Sequence, residues 1–261
     1  MAEAYIVDAV RTPVGRRGGG LSAVHPADLG AHSLKALMER TGVDPGAVED
    51  VIFGCVDTIG GQAGDIARTC WLAAGLPDHV PGTTIDRQCG SSQQAVHFAA
   101  QGVMSGTSDL IVAGGVQQMS TIPISSSMLV GDQFGYPDPF SGSLGWQERY
   151  GDQEVSQFRS AQMIADKWDC SRDEMESFAV ESHERAIRAR AEGRFDAEIA
   201  PFGEVMADEG PREPNWDKIR SLRPLEEGGT ITAAVASQIS DASAALLIAS
   251  EQAVEDHGLT P

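Results

Sequence analysis

The sequence predicts an α/β protein: a largely parallel sheet covered by helices on both faces and interrupted by an inserted lobe. Three observations predict it. Short apolar, β-branched stretches alternate with helical patterns over residues 5–119, the mark of strand–helix–strand units. Residues 51–55 and 110–113 are apolar throughout, as strands covered on both faces are. After Met119 the alternation stops, and a buried-strand pattern returns only at residues 243–249. Residues 1–119 and 243–261 are therefore expected to form one α/β domain, with 120–242 as the lobe inserted into it.

Residues 5–10 alternate and are rich in β-branched side chains, which predicts the first strand. Gly15 to Gly20 form a glycine-rich loop, GRRGGG. It fits neither of the common nucleotide-binding spacings, so it is expected to be a flexible loop with two exposed arginines rather than a phosphate cradle. Pro26 opens a helix through about Arg40, with Leu29, Leu34, Leu37 and Met38 on its apolar side and Gly42 as its stop. Residues 66–74 make a short helix, ended by Gly75 and Pro77. Thr83, Thr84 and Ile85 make a short strand. A long helical pattern follows, in which Ala95, Val96, Phe98, Ala99, Ala100, Val103 and Met104 cover most faces and predict a buried helix. Residues 120–155 are rich in Ser, Gly, Pro and aromatics without a sustained period, and so long a loop is usually functional. Two helices follow, at 157–168 and 172–192. Ser171 and Glu174 have the spacing of a capping box for the second, and Gly193 closes it.

Composition excludes several classes. The chain has 261 residues and is 41% hydrophobic, enough for a sizeable core. Lys and Arg number 19 and Asp and Glu 38, a net charge of −19 that argues against nucleic acid as a partner. No apolar run is long enough to span a bilayer, and the opening residues lack the pattern of a signal peptide. The four cysteines, Cys55, Cys70, Cys89 and Cys170, form no CxxC pair and have no histidine at metal-ligand spacing. A cytoplasmic protein with reduced thiols and no metal is expected.

The chemistry centres on Cys89, between Gln88 and Gly90, where the short strand turns into the long helix. Unpaired N–H groups and the helix macrodipole favour thiolate at such a position, and cysteines at helix N-termini are often the reactive ones. Gly90, Ser91 and Ser92 keep the surroundings small enough for a bulky acyl group to approach. On chemistry alone two readings stand, a reactive thiolate and a small buried core residue. A base is also needed. His97 is the only histidine on the same helix, and eight residues at 1.5 Å each put it about 12 Å along the axis, out of reach. It is expected to be a buried or half-buried helix residue instead.

The stretch I-D-R-Q-C-G-S-S-Q-Q-A around Cys89 resembles the nucleophile motif of the thiolases, N-R-x-C-[SG]-S-G-x-Q-A, with Asp86 for the usual Asn. Residues 4–15 resemble that family's opening strand and turn. Residues 61–68 resemble its G-Q-x-x-x-x-A-R segment, and 112–120 its A-G-G-x-E-x-M-S strand and loop. The motifs keep the family's order. The resemblance implies a five-stranded mixed sheet with helices on both faces and a loop lobe that supplies much of a coenzyme A site. It implies that Cys89 is acylated by an acyl-CoA in a ping-pong cycle, its backbone N–H helping to hold the oxyanion. The overall reaction would be thiolysis of a 3-oxoacyl-CoA or the reverse Claisen condensation. Coenzyme A would be a substrate, with no metal or redox cofactor. Arg212 falls on the family's basic residue near the adenine nucleotide and Ser237 on its serine near the pantetheine, although Arg212 also reads as an ordinary solvated charge. Lys218, Arg220 and Arg223 lie close by in sequence as a further source of local positive field. Gln157-Phe158 replaces the family's M-G pair, and D-A-S-A-A at 241–245 replaces D-G-A-A-A, departures that bear on the acyl pocket. The GDQ/SQF variant looks most like actinobacterial degradative thiolases and points to bulky or branched acyl groups.

Thiolases carry a second copy of the α/β fold that holds an N-E-A-F Asn, a G-H-P His and a C-x-G Cys. None of these motifs occurs in these 261 residues. The chain is therefore expected to match the N-terminal half plus the lobe, to show little or no turnover alone, and to form a dimer or tetramer. Ketoacyl and hydroxymethylglutaryl synthases resemble the same fold but differ at the nucleophile motif. A non-catalytic or partner-dependent acyl-CoA-binding protein is the alternative from another class.

Overall fold

The computed structural model describes residues 3–261. It groups them into two compact units, residues 3–130 with Asp196–Glu209 and Ile239–Pro261, and Gly131–Phe195 with Gly210–Gln238. This differs from the single insertion expected over 120–242, and side-chain ties explain why. Arg11 holds Glu198 at 2.8 Å and grips both oxygens of Asp208 at 2.6 and 3.0 Å, which draws 196–209 into the first unit. Asp241 accepts the Ser120 N–H at 2.9 Å and its hydroxyl at 2.6 Å. The buried Asp57 carboxylate accepts the N–H groups of Ser125 and Ser127 at 2.9 and 2.7 Å. Both ties keep the start of the expected lobe with the sheet.

The first unit contains β1 (Ala4–Arg11), β2 (Gly15–Arg16), α1 (Pro26–Thr41), β3 (Asp50–Gly54), α2 (Ile66–Ala73), β4 (Gly82–Ile85), α3 (Ser91–Met104), β5 (Leu110–Gln118), α4 (Ser126–Leu129) and β6 (Ser240–Ser250). A last helical turn, Glu251–Asp256, follows. The sheet order is β1-β6-β5-β3-β4, with β2 pairing β6. The five-stranded mixed sheet implied by the thiolase resemblance is present, with the two-residue β2 as an addition. The largely parallel sheet expected from the alternation alone is not: β3 pairs parallel with β4 and β5, but β6 runs antiparallel to β1, β2 and β5. Strand alternation sorts the core into two layers. Val51, Phe53, Leu110, Val112, Leu247 and Ala249 point into a large core with Leu29, Leu34, Leu37 of α1 and Ile66, Cys70, Trp71 of α2. Ile52, Ile111, Ala113 and Ile248 point the other way, to Ala95, Ala99 and Val103 of α3.

Helix α1 keeps the predicted punctuation. Pro26 opens it, His25 Nδ1 accepts the Ala27 N–H at 3.2 Å, and Gly42 takes the left-handed conformation (φ 65°) that returns its N–H to Met38 O. Helix α3 corrects its prediction. Ala95, Ala99 and Val103 form a narrow stripe against the sheet, while Phe98 and Met104 remain 45% and 47% exposed. His97 is exposed as well, not buried or half-buried, because it lies on the outward side of that stripe. In the glycine-rich loop Arg16 and Arg17 are exposed, as expected. The carboxylate of Glu209 accepts the N–H groups of Arg16 at 3.0 Å and Gly20 at 2.9 Å, so the chain supplies the anion that such a loop attracts.

The second unit contains α5 (Leu144–Tyr150), α6 (Gln157–Lys167), α7 (Arg172–Ala191) and α8 (Trp216–Arg220). The Ser171–Glu174 capping box is formed in both directions. The Ser171 hydroxyl and N–H, bonded to Glu174, hold that carboxyl below the usual range. In α7 the guanidinium of Arg172 binds Glu176 at 2.7 Å and donates to the carbonyls of Ile219, Arg220 and Leu222 at 3.0 to 3.3 Å. Glu176 is 2% exposed. Arg172→Ala strands a buried carboxylate and unties α8, and is expected to cost the unit about 3 kcal/mol. Thermal melts of the variant beside Arg172→Lys check this, and an unchanged midpoint would refute it.

Candidate active site

Cys89 sits on the turn that carries β4 into α3. It is exposed, which rules out the buried core reading. It lies one residue before the N-cap, Gly90, so the helix begins just beyond the sulfur rather than at it. The turn is fixed by its own side chains. Asp86 Oδ1 accepts the Gln88 N–H at 2.8 Å, so the residue that replaces the family's Asn still caps the turn. Ser91 Oγ accepts the Arg87 N–H at 2.8 Å and donates to Gln88 O at 2.6 Å. The N–H groups of Gly90 and Ser91 return to Arg87 O and Gln88 O. Gln88 is left at φ 50°, a conformation that costs a non-glycine residue about 1 kcal/mol or more. The strained residue stands immediately before the exposed cysteine. Arg87 directs its guanidinium to Gln94 Oε1 along the helix.

The turn rests on two glycines. A Cβ at Gly54, the end of β3, would lie inside the backbone of Ser91 and Ser92. A Cβ at Gly115 of β5 would overlap Ser92 Oγ and Gly54 O. The first turn of α3 therefore lies directly on the strands, and the position of Cys89 is set by backbone contact. Cys55 and Cys70 are buried at 2% and 0% exposure, and burial pushes both thiols up to about 12. They remain protonated at neutral pH and inert. No disulfide joins the cysteines among the described residues.

The second unit holds a groove of about 980 Å³. Its walls are α6, α7 and the segments around 211 and 231–238, and Arg212 and Ser237 both line it. The two residues expected at opposite ends of a coenzyme A thus share one cleft, each exposed. Gln157 and Phe158, the replacements for the family's M-G pair, line the same cleft, with Ile164, Trp168, Met175 and Phe178 as its apolar surface. Lys218, Arg220 and Arg223 are not among its lining residues, and Arg220 instead lies over the Trp216 ring at 5.2 Å. Sequence reading missed His183, which lines the groove and whose Nδ1 accepts the Arg212 backbone N–H at 3.4 Å. Burial, and then the nearby Arg212, hold its pKa below the ordinary histidine value. The signal was the spacing of Met175, Ala179, Ser182, His183 and Ala186 along one side of a helix rich in charged residues.

A mixed sheet sandwiched by helices, a cysteine presented at the entrance to one of them, and a separate lobe with an amphipathic cleft define the thiolase-like α/β class. The family model for the thiolase N-terminal domain matches residues 4–252. The chain belongs to the thiolase family. It is 60% identical over 265 residues to the steroid 3-ketoacyl-CoA thiolase FadA6 of Mycobacterium tuberculosis, spanning all of this chain and 65% of that protein. It is 37% identical over 280 residues to the 3-oxoadipyl-CoA/3-oxo-5,6-dehydrosuberyl-CoA thiolase of Escherichia coli, spanning 100% of this chain and 69% of the relative. Among solved structures it is similar to the Bacillus anthracis acetyl-CoA acetyltransferase, with a TM-score of 0.81 and 32% identity over all of this chain and 68% of that one. The chain thus spans about two thirds of the length of these relatives. Among the described residues no helix is long and apolar enough to cross a membrane.

Proposed function

We propose that the chain carries the acyl-accepting cysteine and the coenzyme A cleft of an acyl-CoA C-acyltransferase. The observation that carries this reading is Cys89, held exposed on a backbone-braced turn at the entrance to α3. In the cleavage direction the sulfur attacks the 3-oxo carbon of a 3-oxoacyl-CoA and the bond between the α- and β-carbons breaks. The shortened acyl group stays on Cys89, and the released acetyl-CoA takes a proton at its methyl carbon. A second coenzyme A thiol then takes the acyl group, and its proton returns to the Cys89 sulfur. Condensation is the same path reversed. Coenzyme A is a substrate here, and no metal or redox cofactor enters the scheme.

The cleft takes the nucleotide thioester with its nucleotide end toward Arg212 and its pantetheine toward Ser237. The apolar surface of Phe158, Trp168 and Phe178, with the similarity to a thiolase named for steroid substrates, supports a bulky acyl group. The pairing as a homo-oligomer, in the cytoplasm, belongs to the same reading. It is tested by calorimetric titration of the chain with coenzyme A. Binding is expected, and Arg212→Ala is expected to weaken it roughly tenfold, the loss of one charged hydrogen bond. Unchanged affinity in the variant removes Arg212 from the site, and no binding by the native chain rejects the cleft as the coenzyme A site.

A further inference from the structure

The groove contains one polar ring that the reaction scheme does not use. His183 stands on α7 and lines the cleft together with Ala179, Ser182 and Ala186 of its own helix and with Pro211. Its Nδ1 accepts the backbone N–H of Arg212. A neutral imidazole that accepts at Nδ1 carries its proton at Nε2, so the ring offers one fixed donor. The guanidinium of Arg212 is turned back near Gly210 O at 3.5 Å. The bond from Arg212 N to His183 therefore fixes the loop that carries the arginine, and the same ring presents a donor beside it.

We propose that His183 reads the purine ring of the nucleotide, donating Nε2–H to a ring nitrogen while its Nδ1 positions the Arg212 loop. This deepens the proposed function and rests on the cleft being the coenzyme A site. The purine is the better match than a phosphate because an uncharged single donor suits an aromatic nitrogen acceptor. Arg212, with its full charge and planar fork, suits a phosphate. Ala179, Ala186 and Pro211, which line the groove with His183, carry small side chains. Among the charged groups that line the groove, Asp169, Glu174 and Arg212, only Arg212 acts on His183, and it disfavours the imidazolium. Burial acts in the same direction and more strongly. The ring is thus neutral at pH 7 and gains a proton only below the ordinary histidine range. A proton on Nδ1 removes the acceptor for the Arg212 N–H and sets two cations side by side. Affinity for coenzyme A is therefore at its plateau at neutral pH and falls on acidification.

The test is calorimetric titration of the full chain, and of His183→Ala and His183→Gln, with coenzyme A, 3′-dephospho-coenzyme A and pantetheine, from neutral to mildly acidic pH. His183→Ala is expected to weaken both nucleotides about tenfold, roughly the loss of one hydrogen bond, and to leave pantetheine unchanged. His183→Gln keeps a donor and an acceptor, so it is expected to recover most of the affinity while losing the acid-side fall. A loss confined to coenzyme A and absent with the dephospho form overturns the purine assignment in favour of the 3′-phosphate. Native affinity and native pH dependence in His183→Ala overturn the inference while leaving the cleft reading intact. No binding of coenzyme A by the native chain overturns both.

Discussion

Incubated with an acyl-CoA and examined by intact mass and peptide mapping, the chain is expected to carry its acyl adduct on Cys89, and Cys89→Ala is expected to carry none. The contrast is all or none because no second thiol of the sheet competes. Cys55 and Cys70 are buried, with thiols pushed up to about 12, so essentially no thiolate exists at either at pH 7. Cys170 is half-buried and lies in the lobe cleft. Mapping separates it from Cys89, and an adduct there instead of at Cys89 would overturn the assignment. A steady adduct on Cys89 would mean that the turn between β4 and α3 is sufficient for acyl capture. Its absence in native chain and variant alike would place the activating base outside these residues and reduce the chain to a scaffold for the nucleophile.

The second large effect is expected at a residue that touches no substrate. Gly54→Ala introduces a methyl group where the backbone of Ser91 and Ser92 already lies. The first turn of α3 has to move off the sheet, at an overpacking cost of about 1–3 kcal/mol. Displacement of the nucleophile by about 1 Å lowers the acylation rate up to a hundredfold. The same substitution at Gly145 of α5, where an added Cβ meets nothing within 4 Å, serves as the control. Acylation rates measured with melting midpoints decide the matter. A Gly54→Ala chain that acylates at the native rate would show that Cys89 is not positioned by the sheet contact.

The elements that local chemistry specifies were legible in the sequence. Pro26 and Gly42 bound α1, Ser171 and Glu174 cap α7, and the apolar runs at β3 and β5 are strands. The sequence singles out Cys89 by its neighbours and Arg212 and Ser237 by motif; the structure has the first exposed on a turn and the other two on the walls of one cleft, and their roles belong to the proposed function. What was hidden depends on partners far away in the chain. The direction of β6 follows from pairing with strands more than a hundred residues earlier. The return of 196–209 to the first unit follows from the grip of Arg11 on Glu198 and Asp208. Apolar composition did not reveal which side of α3 is covered, since Phe98 is as apolar as Ala99 and only the latter meets the sheet. His183 escaped notice because the stripe it belongs to is short and only partly apolar, and its value lies in what the 210–212 loop brings to it.

The placement of β6 bears on how the chain reaches this structure. Strands β1 and β5 do not touch one another; each is zipped to β6, which is synthesised last of the three. Until Ser240–Ser250 leaves the ribosome, Leu110, Ile111 and Val112 form one rim of an unfinished sheet, and Ala4–Arg11 has no partner strand at all. Contacts of such sequence separation form slowly, and an open apolar rim is the kind of surface on which nascent chains stick to each other. Closure of the sheet thus depends on the last of its strands to be made, and only β6 joins Ala4–Arg11 to the part built from β3, β4 and β5.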